Sequence, residues 1–141
     1  MAYGRKRVQA TPTPRTSHPR QLLVQALRLL AAGLGDSFTH EFPARSGPAL
    51  TLGQIADRLT ARLVGLFRAG PDGRRPVFGS QEKFQSDPLW NDKLLFHEYF
   101  HGDDGSGQGA SHQTGWTALV ALLVEEQARP WAPPRPNLRP A

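Results

Sequence analysis

The sequence predicts an all-α domain with long loops and at most one short β-hairpin. Three segments rich in strong helix formers carry this prediction, at residues 21–32, 51–68 and 114–127. Their apolar residues either recur at helical spacing or cover nearly all sides of a helix. Because 141 residues suffice to bury one core, we expect a single folded domain over residues 21–128.

The two ends of the chain lack the apolar residues that a core needs. Residues 1–20 form a basic, Pro-rich arm without Leu, Ile, Phe or Trp, and residues 129–141 hold five of the thirteen prolines. Segments of this composition bury too little apolar surface to offset the entropy that they lose on ordering. We therefore expect both ends to be disordered.

The net charge of +5 does not indicate a nucleic-acid partner, because the positive charge lies in the tails. Residues 1–20 carry five Lys or Arg and no acid, whereas residues 69–128 carry four basic and nine acidic residues. A nucleic-acid surface needs a basic patch on the folded part. We expect no nucleic-acid partner. We expect no membrane partner either, since no apolar run approaches the roughly 18 residues of a spanning helix.

Redox and targeting features are sparse. The chain has no cysteine, which excludes disulfides and thiolate metal sites. Arg5, Lys6 and Arg7 are not followed by the apolar stretch of a secretory signal. The expected location is the cytoplasm.

The predicted helices differ in how much of their surface must be covered. Residues 21–32 (QLLVQALRLLAA) are apolar on nearly all sides and should be buried on more than one face, and Gly33 and Gly35 end the helix. The second helix has one apolar stripe, and Thr51 with Gln54 has the spacing of a capping box. Residues 114–127 are again mostly apolar. Two helices that need cover on several sides indicate self-association or membership of a larger assembly.

The segments between the helices are rich in Pro, Gly and Ser. Residues 36–50 are predicted to be a loop and residues 76–78 a short strand. Residues 81–92 are predicted to be irregular because Pro88 interrupts them. Residues 94–100 fit a strand and a helix equally well.

The residues with catalytic chemistry lie in one block, LLFHEYFHGDDGSGQGASHQTGW, before the last helix. His97, Glu98 and His101 fit the pattern H-E-x-x-H, in which two His one helical turn apart bind zinc and the Glu activates a water. This interpretation requires the segment to be a helix, with Glu125 or Glu126 as a third ligand. The acidic run GDDGSGQG lacks the ligand spacing of an EF-hand and the Gly-Lys-Ser/Thr of a P-loop, so we interpret it as a tight turn.

A second interpretation of the same block comes from resemblance. The residues that carry it are EFPARSGPALTLGQIADRL and RRPVFGSQEKFQSDPLWNDKLLFHEYFHGDDGSGQGASHQTGWTALVALL. From about Leu22 to Glu126 the chain resembles the C-terminal part of glycoside hydrolase family 63 enzymes, which include mannosyl-oligosaccharide glucosidases and mannosylglycerate or glucosylglycerate hydrolases. The resemblance implies a partial (α/α)6 toroid that retains only the C-terminal helices.

The resemblance also implies roles for individual residues. Glu98 matches the general base, which activates the water that attacks the anomeric carbon with inversion. An inverting glycosidase needs this base and a second carboxyl group, roughly 6.5–9.5 Å away, that protonates the leaving oxygen. No cofactor is expected for this chemistry. The expected sugar contacts are Tyr99, His101, His112, Gln113 and Trp116.

The family's general acid has no counterpart here, and relatives carry a Trp-Arg-Gly-Pro segment where this chain has ATPTPRTSHPRQ. We therefore expect a glycosidase fragment that carries the base without the acid. The full-length relatives take a carbohydrate substrate, but the isolated chain is expected to be inactive. Two alternatives remain, namely a zinc metallopeptidase built on H-E-x-x-H and a non-catalytic helical interaction module whose basic tails bind an acidic partner.

Overall fold

A computed structural model describes residues 20–111 and 115–129, without the side chains of Arg20 and Trp116. Most of the two ends predicted to be disordered lies outside the described residues. Short 3₁₀ turns lie at Pro76–Phe78 and Trp116–Leu119. The helices and strands, in chain order, are α1 (Arg20–Leu34), β1 (Thr39–Glu41), β2 (Ala49–Thr51), α2 (Leu52–Gly65), α3 (Glu82–Ser86), β3 (Tyr99–Phe100), β4 (Gly107–Gln108) and α4 (Val120–Ala128).

The prediction of an all-α domain is wrong. β1 pairs antiparallel with β2 and β3 pairs antiparallel with β4, so the described residues combine helices with two small sheets. They are therefore not a purely helical fragment of an (α/α)6 toroid. The error arose because Pro, Gly and Ser content marks the turns of a hairpin, whereas the short strands beside those turns leave little signal of their own.

The first hairpin lies within residues 36–50, which were predicted to be a loop. The Pro and Gly residues that indicated a loop occupy the turn between β1 and β2. In this turn the carbonyl of Pro43 accepts hydrogen bonds from the backbone N–H groups of Ser46 and Gly47, at 3.2 Å and 2.8 Å. Leu50 on β2 is buried, so the hairpin is attached to the core.

The segment Pro76–Phe78 forms a 3₁₀ turn, although the sequence predicted a strand. Pro76 has no N–H to donate to a neighbouring strand, and it begins the turn. The short helix α3 follows in a stretch predicted to be irregular. The ring of Phe84 in α3 lies 5.5 Å from that of Phe78 and 5.6 Å from that of Trp90, so this stretch packs onto the core.

The helix α2 supplies the centre of the core, as its single apolar stripe predicted. The predicted capping box is present. Thr51 Oγ1 accepts a hydrogen bond from the Gln54 N–H at 3.2 Å, and Gln54 Oε1 accepts one from the Thr51 N–H at 3.0 Å. The buried residues of α2 are Leu52, Ile55, Ala56, Leu59, Thr60, Leu63 and Val64.

The helix α1 packs against α2 and turns polar side chains inward. Gln21 and Arg28 are buried. No described element covers the outer face of this helix, so the cover that the sequence predicted for a second face does not come from the described residues. The outer leucines are about half exposed or more, and they are Leu22, Leu23, Leu29, Leu30 and Leu34.

Arg28 links three helices from the inner side of α1. Its guanidinium donates hydrogen bonds to Glu126 on α4 and, at 3.3 Å, to Thr60 on α2. Gln25 donates to the same Glu126 carboxylate at 2.9 Å, and Asp57 lies 3.6 Å from the guanidinium. A buried guanidinium needs such partners, and they fix how α1 is rotated about its axis.

The last predicted helix, at 114–127, is shorter than expected. After the 3₁₀ turn it continues as α4, in which Val120 and Leu123 are buried while Leu122 and Val124 are about half exposed. Among the described residues, no helix combines the length and the apolar character needed to cross a membrane.

Candidate functional site

The block with catalytic chemistry folds as a hairpin and not as a helix. β3 and β4 pair with Tyr99 opposite Gln108 and Phe100 opposite Gly107. We call residues 98–110 the Glu98 hairpin. The sequence of the first half of this block fitted both a strand and a helix. The first half forms a strand because it pairs with the Gly-rich second half.

The Glu98 hairpin is attached to the two residues that follow Gly65 at the end of α2 by two contacts. The ring of Phe100 is buried and meets the edge of the Phe67 ring, with the centroids 5.7 Å apart. Gly105 has a φ of +78° in the turn of the hairpin, and a Cβ added there would overlap the side chain of Leu66. The hairpin and the helix therefore form one packed unit.

Glu98 lies at the open end of the hairpin with its side chain exposed. Its backbone N–H donates to the carbonyl of Ala110 at 3.1 Å. Its carboxylate Oε2 accepts a hydrogen bond from the Ala110 N–H at 3.2 Å. The carboxylate lies over Gly109, where an added Cβ would overlap Oε2. The carboxyl group is thus held in place and accessible to solvent.

His101 and Asp104 face each other in the turn of the hairpin. His101 Nδ1 lies 3.4 Å from Asp104 Oδ1. Asp104 Oδ1 also accepts a hydrogen bond from the Ser106 N–H at 2.8 Å. The hydrogen bonds from Ser106, together with the nearby His101, hold the pKa of the Asp104 carboxyl below its ordinary value of 3.8. Asp104 is therefore ionised at neutral pH.

A cleft of about 370 Å³ opens between α2 and the turn of the hairpin. It has an apolar floor that includes Leu63 and Phe100. An apolar floor with a few polar groups around it is typical of a ligand site. Glu98 does not line this cleft, because it lies at the open end of the hairpin. The polar lining residues are Arg62, His101, Asp103 and Asp104.

His97 serves as an internal packing residue. It is buried, and a Cβ added to Gly107 would overlap its ring, so the imidazole lies directly against β4. The His97 carbonyl accepts a hydrogen bond from Thr117 Oγ1 at 2.5 Å. This bond ties the start of the hairpin to the 3₁₀ turn before α4.

The structure places three of the predicted sugar-site residues on the Glu98 hairpin, with His101 lining the cleft and Glu98 away from the cleft at the open end. Glu98, Tyr99 and His101 all lie on the Glu98 hairpin, and Tyr99 and His101 are half-buried. Two predicted sugar contacts, His112 and Gln113, lie outside the described residues. A third predicted contact is the side chain of Trp116, which is likewise outside them.

The zinc interpretation lacks the helix on which it depends. In an extended strand four residues span about 13 Å, so the spacing of His97 and His101 no longer places their rings side by side. Glu126, one suggested third ligand, accepts hydrogen bonds from Gln25 and Arg28 instead. Within residues 20–111 and 115–129, no group of three or more His, Cys, Asp or Glu side chains is arranged to hold a metal ion.

The acidic run of the Glu98 hairpin, which lies between β3 and β4, is a turn, as the sequence predicted. Gly105 adopts a positive φ, and the Asp104 carboxylate accepts from the backbone two residues ahead. The sequence did not identify Arg62 as part of the cleft. The helical period places Arg62 on the polar face of α2. The turn of the Glu98 hairpin approaches that face, but this contact joins segments that are distant in the sequence, and no local pattern shows it.

Comparisons with known proteins show a similarity between part of the chain and a yeast protein. No known protein family matches the chain, and no solved structure matches it. The chain is similar to a protein of Saccharomyces cerevisiae named "Uncharacterized protein YMR196W", with 42% identity over 107 residues. The match covers 74% of this chain and 10% of the yeast protein.

The chain thus spans about a tenth of the length of this yeast relative. An aligned stretch that covers 74% of 141 residues includes residues 38–104 wherever it begins. The similar stretch therefore includes α2 and the segment from Glu98 to Asp104, which are the two walls of the cleft.

Proposed function

We propose that the Glu98 hairpin carries the general base of an inverting glycoside hydrolase that acts on α-glucosides or glycosylglycerates. The observation that carries the proposal is the placement of the Glu98 carboxylate, which is held by the Ala110 N–H over Gly109 and is exposed. A general base needs an ionisable group in a fixed position that water and substrate can reach. The resemblance over most of the folded part supports the same assignment.

In this proposal the Glu98 carboxylate accepts a proton from a water molecule. The oxygen of that water attacks the anomeric carbon on the face opposite the leaving group, so the bond to the leaving oxygen breaks with inversion of configuration. Tyr99 and His101 on the same hairpin supply a phenol hydroxyl and an imidazole, both of which form hydrogen bonds with sugar hydroxyls.

The leaving oxygen needs a proton from a second carboxyl group. We propose that this general acid comes from polypeptide outside the 141 residues, because no position of the chain matches it in the resemblance. The yeast relative, of which the chain spans about a tenth, is consistent with a site completed elsewhere. General acid catalysis contributes about 10²–10⁴ in rate, so ordinary glycosides should react very slowly with this chain.

A substrate whose leaving group needs no proton tests the general base without the missing general acid. The fluoride of α-glucosyl fluoride leaves as an anion, and only the attacking water has to lose a proton. We expect the purified chain to release fluoride faster than the spontaneous reaction. The Glu98→Gln variant, which keeps the shape but cannot accept a proton, should lose this acceleration, and a fluoride electrode measures both rates.

Glu125→Gln provides a matched control, since Glu125 is exposed on α4 with 58% of its side-chain surface accessible. This variant should release fluoride at the wild-type rate. Equal rates for wild type and Glu98→Gln would remove Glu98 from the mechanism. Rapid hydrolysis of an alkyl α-glucoside by the wild-type chain would contradict the absence of the acid.

We also propose that the chain acts in the cytoplasm on a carbohydrate and not on a nucleic acid. The acidic character of the Glu98 hairpin, with Glu98, Asp103 and Asp104, supports the second part because it repels phosphates. Fluorescence imaging of a tagged chain tests the location. A mobility-shift assay with DNA and RNA tests the partner, and a shift that survives removal of both basic tails, residues 1–20 and 129–141, would contradict the proposal.

A further inference from the structure

The outer face of α1 is apolar along its whole length. Between residues 21 and 34 every exposed residue is Leu, Ala or Gly, and the single charged residue of this range, Arg28, is buried. Leu29 is 63% exposed and Leu30 is 52% exposed. We call this surface the α1 outer face, and its larger members are Leu22, Leu23, Ala26, Leu29, Leu30 and Leu34.

An ordinary surface helix turns one apolar stripe inward and its polar side chains to water, whereas α1 is apolar on both sides, with Val24 fully buried on the inner side. In α1 the polar residues Gln21, Gln25 and Arg28 face the inside, where the last two donate to Glu126. The leucines cannot rotate into the core without breaking these bonds. The apolar face is therefore fixed toward the outside.

The size of this face approaches that of a protein interface. Five leucines that are each about half exposed or more present on the order of 500 Å² of apolar surface, which approaches the ~800 Å² that each partner buries in a standard interface. Contiguous apolar patches of more than a few hundred Å² mark interaction sites in soluble proteins.

We propose that the α1 outer face is a homodimer interface, in which the α1 helices of two copies pack against each other about a two-fold axis. Two identical copies meet here without like-charge repulsion, because the face holds no charged side chain. The same absence of charge gives an acidic or basic partner nothing to pair with. Ala26 lies among the leucines of the face and leaves room for a leucine of the second helix.

The mass of the full chain in solution tests this proposal. At tens of micromolar, light scattering or sedimentation equilibrium should give about twice the monomer mass of 15.5 kDa for wild type. Ala26→Glu should shift the mass to that of a monomer, because it places two carboxylates in the apolar contact. Glu is nearly as good a helix former as Ala, so circular dichroism should show an unchanged fold.

Ala61→Glu is the matched control, because Ala61 is exposed on α2 away from the α1 outer face. This variant should remain a dimer. A wild-type chain that stays monomeric up to hundreds of micromolar would overturn the proposal, and so would a dimer that Ala26→Glu leaves intact.

A cross-linking experiment gives a second, independent readout. The chain has no cysteine, so a short bismaleimide can join only an introduced thiol to its counterpart in the second copy. Ala26→Cys should give a covalent dimer in high yield, whereas Ala61→Cys should not. Equal yields from the two variants would contradict the placement of the interface on α1.

Discussion

The position of the Glu98 carboxylate depends on one glycine. Gly109 has a φ of +73°, and a Cβ there would overlap the Glu98 carboxylate. We predict that Gly109→Ala displaces Glu98 from the Ala110 N–H and abolishes the accelerated release of fluoride from α-glucosyl fluoride. The backbone strain should also lower the free energy of unfolding by about 1–2 kcal/mol, measured by urea denaturation.

Gly73→Ala separates the two effects, because Gly73 has a φ of +76° and open space around its Cα. It should lower the free energy of unfolding by a similar amount and leave fluoride release unchanged. The same loss of activity in both variants would mean that general destabilisation, and not the position of Glu98, accounts for the effect.

The buried ion pair between Arg28 and Glu126 leads to a second prediction at the scale of residues. Arg28 is almost fully buried, whereas 27% of the Glu126 side chain is accessible. Glu126→Ala leaves a buried guanidinium without its main partner and should lower the free energy of unfolding by about 3 kcal/mol. Arg28→Met should have a smaller effect, since it keeps the packing volume and the remaining carboxylate reaches water.

The adjacent Glu125→Ala serves as the control, because Glu125 is exposed and pairs only with Arg129 at 3.6 Å among the contacts of the described residues. Its effect on the free energy of unfolding should stay within about 0.5 kcal/mol. Urea titrations of the four proteins give these values. An Arg28→Met protein less stable than Glu126→Ala would contradict the unequal burial of the two charges.

At the scale of elements, the turn of the Glu98 hairpin should make stability depend on pH. The pKa of Asp104 is lowered in the folded protein by hydrogen bonds from Ser106 and by the nearby His101. Its contribution to stability is therefore present above the ordinary value of 3.8 and is lost as pH falls through the lower folded pKa. Because Asp104 is 65% exposed, the contribution should stay below about 1 kcal/mol.

The variant that measures this contribution is Asp104→Asn. Relative to wild type it should lower the free energy of unfolding at pH 7, and the difference should shrink as the pH falls toward and below 3.8. Asp103→Asn removes the same negative charge at the neighbouring residue and provides the control. A difference for Asp104→Asn that does not change with pH would contradict the role of the ionised carboxylate.

The elements that the sequence predicted well are those that local rules determine. The helix α2 follows from its apolar period, and its start follows from the capping box of Thr51 and Gln54. The strands β1 to β4 are only two or three residues long, and they form because of contacts across a turn and with the core. Neither contact leaves a periodic pattern in so few residues.

At the scale of the whole molecule, the site was predictable only in part. Glu98, Tyr99 and His101 were found in the sequence because they are adjacent in one motif-like block. The cleft was not found, because Arg62 reaches it from another helix. The sequence predicted that α1 needs cover on more than one side, but it did not predict which side the described residues leave open. The inner side of α1 packs Val24 in the core and joins Arg28 to Glu126, and both contacts link segments that are far apart in the sequence.

We propose that Glu98 acts as a base on water. The most direct test of this proposal is the configuration of the glucose that the wild-type chain forms from α-glucosyl fluoride, followed by proton NMR before the anomers interconvert and corrected for the Glu98→Gln protein. We predict β-glucose as the first product. First formation of α-glucose would contradict it, because retention would mean that a carboxylate attacks the sugar itself.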